Sequence, residues 1–122
     1  MPGFKELDPI VSLPDQLQSD EGPIVLINVF SVDVAEEQAL VEAWAHDADF
    51  MKQQPGYIST QLHKGIAGSS TFVNYAVWQD VESFRSAFTN PEFQRRIADY
   101  PPSAVAQPHL FKKLSVANHC VA

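Results

Sequence analysis

Asn28 and Asn74 each sit inside a short, otherwise apolar run, "IVLINVF" from Ile24 to Phe30 and "FVNYAVWQD" from Phe72 to Asp80, and Trp78 follows Asn74 by four residues. On a strand, four residues are two full side-chain repeats, so Asn74 and Trp78 share a face with Phe72 and Ala76. An amide turned inward among apolar groups is penalised unless something pairs with it. A single inward Asn is commonly a core residue bridged to backbone or water. Three such side chains on neighbouring strands offer more, because amide and indole N–H donors held in a dry enclosure act strongly on negative charge developing on a bound molecule. Asn28, Asn74 and Trp78 form the candidate catalytic set.

A proton acceptor near neutral pH points to histidine. His63 and His109 are the candidates, with water as the alternative. His46 falls on the side of its helix away from Trp44 and reads as a surface residue. His119 and Cys120 stand in the C-terminal tail and are too few to hold a metal. Arg95 and Arg96 read as solvated helix charges.

Charge and composition narrow the classes of partner. With 15 acidic and 8 basic residues and a formal charge of -7, binding through phosphates or anionic lipid headgroups is disfavoured, which sets aside nucleic acid and membrane surfaces. The single Cys120 forms no internal disulfide, and a reducing cytoplasm is the expected location. No run approaches the ~20 apolar residues of a membrane helix, and Met1 is not followed by an apolar leader. A chain of 122 residues is the size of one domain with one core.

The elements that position the candidate residues follow from periodicity. Residues 1–22, interrupted by Pro2, Pro9 and Pro14, read either as an irregular arm whose Ile10, Val11 and Leu13 pack, in a dimer on the second copy, or as a loosely ordered tail. Ile24 to Phe30 reads as a buried strand. Asp33 and Glu36 make a capping-box pattern before a helix over about 34–53, with Leu40, Val41, Trp44, Ala48 and Met51 at helical spacing. "YISTQLHK" and the run from Phe72 form a hairpin across Gly65 to Ser70. Asp80 caps a helix carrying Val81, Phe84 and Phe88, Asn90-Pro91 starts a second, and a last strand is expected around "HLFKKLSV". The order βαββαβ is the ferredoxin-like pattern, an α+β fold with an antiparallel sheet and helices on one face. The domain spans 23–117, and 118–122 is a tail. Phe30, Trp44, Phe72, Phe84 and Phe88 read as core aromatics, two or three of which also wall a pocket and serve as candidate substrate-binding residues.

The segments "INVF", "PGYISTQLHKG", "NYAVWQDVESFRSAF" and "NPEFQRR", in this order, resemble the antibiotic biosynthesis monooxygenase family of dimeric α+β barrels. The resemblance runs from Ile24 to about Val116. It implies a homodimer joined through the sheet face of Val25, Ile27, Val29, Val73, Tyr75 and Val77, a face too apolar to be left in water. Among such proteins, the anthrone and naphthacenone oxygenases of aromatic polyketide pathways resemble this chain at Asn28, Asn74 and Trp78. This resemblance implies oxidation of a polycyclic aromatic polyketide, of anthrone or hydroquinone type, to a quinone by O2 with no metal or organic cofactor. A Tyr and an Arg found in some of these enzymes are not reproduced at Phe84 and Arg95-Arg96. Related angucycline ring-cleaving oxygenases use reduced flavin, which is the alternative reading. A non-catalytic dimeric protein that binds a small aromatic molecule is another. The haem-degrading branch fits poorly, since Ile97 and Ala87 occupy the positions of its axial His and its Trp.

Overall fold

The computed structural model describes residues 3–121 of the chain. Met1, Pro2 and Ala122, at the ends of the expected arm and tail, lie outside the described residues. The elements are β1 (Gly3–Phe4), α1 (Leu13–Gln16), β2 (Ile24–Ser31), α2 (Glu37–Met51), β3 (Tyr57–Lys64), β4 (Thr71–Trp78), α3 (Val81–Phe88), α4 (Pro91–Ile97) and β5 (Val105–Phe111). The sheet order is β1-β5-β2-β4-β3, with the helices packed on one face. From β2 onward this is the expected βαββαβ fold, and β2 and β4 are its central antiparallel pair.

Period-two patterning sets the register. Leu26, Phe30, Phe72, Ala76 and Trp78 all face the helices and are buried, since a slip of one residue would expose the whole set. On the opposite face, Ile27, Val29, Val73 and Val77 are half-buried and Tyr75 is 39% exposed. The helix-side core has two apolar clusters, one around Leu26, Trp78 and Phe84, the other around Phe30, Leu40, Phe72 and Tyr100. The rung between them carries Asn28 opposite Asn74, with Pro108 and Leu62 flanking.

Two of the expected caps form. Asp80 accepts from the Ser83 N–H at 2.8 Å, and Asn90 from the Glu92 N–H at 2.8 Å with Pro91 in the first helical turn. The capping box at Asp33 does not. The chain enters α2 through a 3-10 turn, Val34–Glu36, and Asp33 makes no side-chain cap. Tertiary partners prevail over the local motif: the Asp33 N–H donates to Ser103 Oγ at 3.0 Å, and Glu36 accepts from the Ser103 N–H at 3.3 Å. Both tie the entry of α2 to the turn before β5. The last strand begins earlier than expected, at Val105, with Pro108 inside it. β1 pairs with β5 only as far as Ala106, so Pro108 lies where β5 is the sheet edge, a place proline tolerates.

The N-terminal segment is more regular than expected and folds onto its own chain. β1 extends the sheet in parallel with β5. Ser12 caps the single turn of α1, and Leu13 and Leu17 enter the core cluster. Gln16 brackets Leu110, donating to its carbonyl and accepting from its N–H, both at 2.9 Å. Ile10 and Val11, by contrast, stay exposed. Leu13 is 1% exposed, so Leu13→Ala is expected to cost about 2–5 kcal/mol in urea unfolding, as much as a deep core truncation. An unshifted urea midpoint would mean that the segment is not held there.

Candidate active site

Asn28 and Asn74 are directly opposed across the β2–β4 pair. The Gln107 N–H, which can only donate, binds Asn28 Oδ1 at 3.1 Å and so fixes which way that amide points. The Thr60 hydroxyl donates to Asn74 Oδ1 at 2.6 Å. Both amide oxygens are therefore occupied, and among the described residues neither NH2 group has a protein acceptor. What the pair offers to a bound molecule is donors. The protein thus satisfies the oxygens of the rung, while the two NH2 groups are not among its buried unpaired atoms.

Trp78 stands four residues on from Asn74 on the same face and is 1% exposed, its ring meeting Tyr57 and Phe84 edge-on with centroids 5.6 Å away in each case. Tyr57 reaches Trp78 because β3 carries an extra residue at Ile58: Tyr57 pairs with Trp78 while Ser59 already pairs with Val77. The bulge turns Tyr57 to the helix side and leaves Ile58 exposed. Trp78 is thus both a wall of the site and a core residue.

Two adjoining cavities lie between sheet and helices, of about 70 and 150 Å³. A single water needs roughly 10–15 Å³ on this measure, so neither is a packing defect. Asn28, Phe30, Asp47, Phe88, Phe93 and Tyr100 border both. Asn74, Trp78, Trp44 and Phe84 line the inner one, and Gly3 and Phe4 of β1 border the outer. Seven of the eight sequence-predicted residues, Asn28, Asn74, Trp78, Phe30, Trp44, Phe84 and Phe88, are thus brought to one enclosure. Phe72 is not. It shares the helix face but lies one rung beyond Asn74, buried in the cluster of Leu40 and Phe30, with Lys64 Nζ 5.8 Å from its ring centroid.

The two candidate histidines lie on the wrong face. His63 pairs with Val73 and His109 with Ile27, both on the side of the sheet away from the cavities. His63 is exposed, and His109 is buried beside Gln16, its Nε2 3.1 Å from Gln16 Nε2. Strand parity alone rules out their contact with a molecule bound at Asn28 and Asn74.

The structure places an acid where no histidine reaches. Asp47, on α2, is 7% exposed and borders both cavities. Its Oδ2 accepts from the Tyr100 hydroxyl at 2.8 Å, while its Oδ1 is buried with no partner among the described residues. Burial pushes the Asp47 carboxyl up to about 7, against the opposing pull of the Tyr100 hydrogen bond and the Arg96 charge. Tyr100, stacked on Phe30 at 5.6 Å, is held neutral by its own burial and by the neighbouring carboxylate. A sequence signal for Asp47 exists: it interrupts the apolar stripe of α2 at i+7 from Leu40 and i+3 from Trp44. Among the described residues no cluster of three His, Cys, Asp or Glu is placed to hold a metal ion.

The fold agrees with family comparison. The family model described as antibiotic biosynthesis monooxygenase matches residues 23–99, and the chain belongs to that family. Deoxynogalonate monooxygenase of Streptomyces nogalater is 30% identical over 79 residues, covering 65% of this chain and 64% of that protein, so the chain spans a little under two thirds of this curated relative's length. The crystal structure of SnoaB, a cofactor-independent oxygenase from the same organism, superposes with a TM-score of 0.68 at 25% identity, over 83% of this chain and 100% of SnoaB. A candidate monooxygenase from Shewanella loihica PV-4 superposes with a TM-score of 0.67 at 31% identity, over 80% of this chain and 99% of its own.

The buried acid carries a stability signature. Between the usual carboxylate value, roughly 3.9, and about 7, the folded chain holds a proton that the unfolded chain has lost. Folding stability attributable to Asp47 therefore falls as pH rises through that window and stays low above it. Asp47→Asn is expected to remove this slope and to be the more stable protein at pH 8, by about 2–4 kcal/mol. Urea unfolding of both proteins from pH 4 to pH 8 reads the difference, and parallel curves would show that the carboxyl is not raised.

Proposed function

We propose that this chain is a cofactor-independent monooxygenase that oxidises a polycyclic aromatic polyketide, of anthrone or hydroquinone type, to the quinone with O2, acting as a homodimer. The observation that carries this reading is the cross-strand pair Asn28 and Asn74, with both oxygens occupied and both NH2 groups left as donors beside an aromatic-walled cavity. An electron-rich aromatic anion transfers one electron to O2, the radical pair recombines as a peroxide, and loss of water leaves the carbonyl. Such a substrate supplies the electrons itself. The protein has to hold the anion, which fixed amide dipoles do in a low-dielectric enclosure, and to keep water away, which Phe30, Trp44, Phe84 and Phe88 do by lining the enclosure with apolar surface. Trp78 and Tyr57 close its inner end.

Removing one donor is expected to cost roughly 2.7–4 kcal/mol in barrier height. Asn28→Ala and Asn74→Ala should each lower kcat for oxygen uptake on an anthrone by about 10²–10³-fold, with a stability loss near 1 kcal/mol for the hydrogen bond to Gln107 or Thr60. Wild-type turnover in both folded variants would make the pair a structural bridge. Trp78→Phe, by contrast, should lower both rate and thermal midpoint, because the ring is enclosed. Homodimerisation rests on the half-buried apolar face of Ile27, Val29, Val73, Tyr75 and Val77. Light scattering should return twice the 13.5 kDa chain mass. A monomer at micromolar concentration would remove the dimer.

A further inference from the structure

We propose that Asp47 is the group that takes the substrate's proton, through its unpartnered Oδ1, and hands it on to the peroxide oxygen. This inference rests on the oxygenase reading above and adds the acid–base step that reading lacks. Three observations carry it. Asp47 is the acidic residue that borders both cavities. Its Oδ1 is enclosed with no protein partner among the described residues, a deficit that a substrate hydroxyl or an acidic C–H beside the ring could meet. Its Oδ2 is held by the Tyr100 hydroxyl at 2.8 Å, and Tyr100 is itself fixed by stacking on Phe30. A carboxylate on a cavity-lining residue, with one oxygen anchored and the other buried without a protein partner among the described residues, has an oxygen to spare for a proton.

The step balances at an anthrone methylene. Asp47 as carboxylate takes one C–H proton, and the electron pair left behind spreads into the ring system and onto the oxygen held by Asn28 and Asn74. One electron passes to O2, and recombination forms the C–O bond. The outer peroxide oxygen takes the proton from Asp47. The second C–H proton then goes to Asp47 as its electron pair forms the C=O bond and the O–O bond breaks, and the departing hydroxide recovers that proton as water. Methylene and O2 become carbonyl and water, and Asp47 ends as the carboxylate it began as.

The charged and titratable groups bearing on Asp47 are Tyr100, which holds it, Arg96, which favours its charged form, and Asp99, which opposes it; all three lie in or just after α4. The sheet side of the cavity presents the neutral amides of Asn28 and Asn74. A carboxyl poised near neutral pH is suited to accept and return a proton in one cycle.

The test uses the full chain and dithranol, a dihydroxyanthrone whose anion absorbs in the visible. Mixed without oxygen, the wild type is expected to accumulate the bound anion near pH 7–8, and Asp47→Asn to form at least about 10-fold less. Tyr100→Phe should keep the anion but move its onset to higher pH, because the carboxylate loses the hydroxyl that favours its charged form. On admitting air, kcat for oxygen uptake should fall about 10²–10⁴-fold in Asp47→Asn. Anion formation by Asp47→Asn equal to wild type, or no anion in the wild type, overturns the assignment. An anion that forms but consumes no O2 in air supports Asp47 as the acceptor while sinking the oxygenase reading. Should Asp47→Asn fail to fold, the onset in Tyr100→Phe decides, and an unshifted onset overturns the assignment.

Discussion

The antiparallel register of β2 on β4 puts Asn28 opposite Asn74, and the rest of the molecule is arranged around that one polar rung. Above and below it the same face is apolar, with Leu26, Ala76 and Trp78 on one side and Phe30 and Phe72 on the other. Two hydrophobic clusters form in place of one, and the cavities open where the amides prevent them from merging. Apolar burial on both sides holds the strands in a register that a single-residue slip would invert, so the apolar residues hold the amides in place. Thr60 and Gln107 then take the amide oxygens and leave the donors free. A core built for stability alone would fill this rung with aliphatic side chains.

The second departure from an optimal core is Asp47. A carboxyl that is 7% exposed, with one oxygen unpartnered among the described residues, is unfavourable in its charged form, and the fold tolerates it between α2 and the Tyr100 segment because Tyr100 satisfies its other oxygen. Natural proteins carry such local costs at sites where a group must be reactive. The aromatic walls have the opposite character. Phe84, Phe88 and Phe93 follow one another at 5.5 Å centroid spacing along α3 and α4, forming a rigid apolar lining. Aromatic walls, two amides and one buried acid thus border the same cavities.

The N-terminal segment shows how the sheet is completed. β1 adds a parallel edge strand, α1 drives Leu13 and Leu17 into the cluster around Trp78, and Gly3 with Phe4 reaches the outer cavity. The expected arm therefore belongs to the wall of the site. Its prolines and short runs concealed this, because a two-residue strand and a one-turn helix are too short to show a period.

Alternation and helical spacing in the chain determined the βαββαβ order, the central β2–β4 pair, the caps at Asp80 and Asn90, and the shared face of Asn28, Asn74 and Trp78. The caps and the common parity of Asn74 and Trp78 depend on contacts near in sequence or on one strand's two-residue repeat, while the β2–β4 pairing that brings Asn28 beside them follows from the element order. The capping box at Asp33 failed, since Ser103, some 70 residues away, competed successfully for the same groups. The last strand was displaced because its limits are set by β2 and β1. Phe72 has the parity of a pocket wall but sits one rung too far, and His63 and His109 have the parity of the other face. Tyr57 enters the site through a bulge that no local pattern marks. Asp47 was readable as an acid on an apolar stripe, yet its partner Tyr100 stands 53 residues further on, and neither its burial nor its free oxygen exists until helix and sheet close over it. Desolvation and cross-element pairing are properties of the assembled core, so the chemistry they tune is decided there.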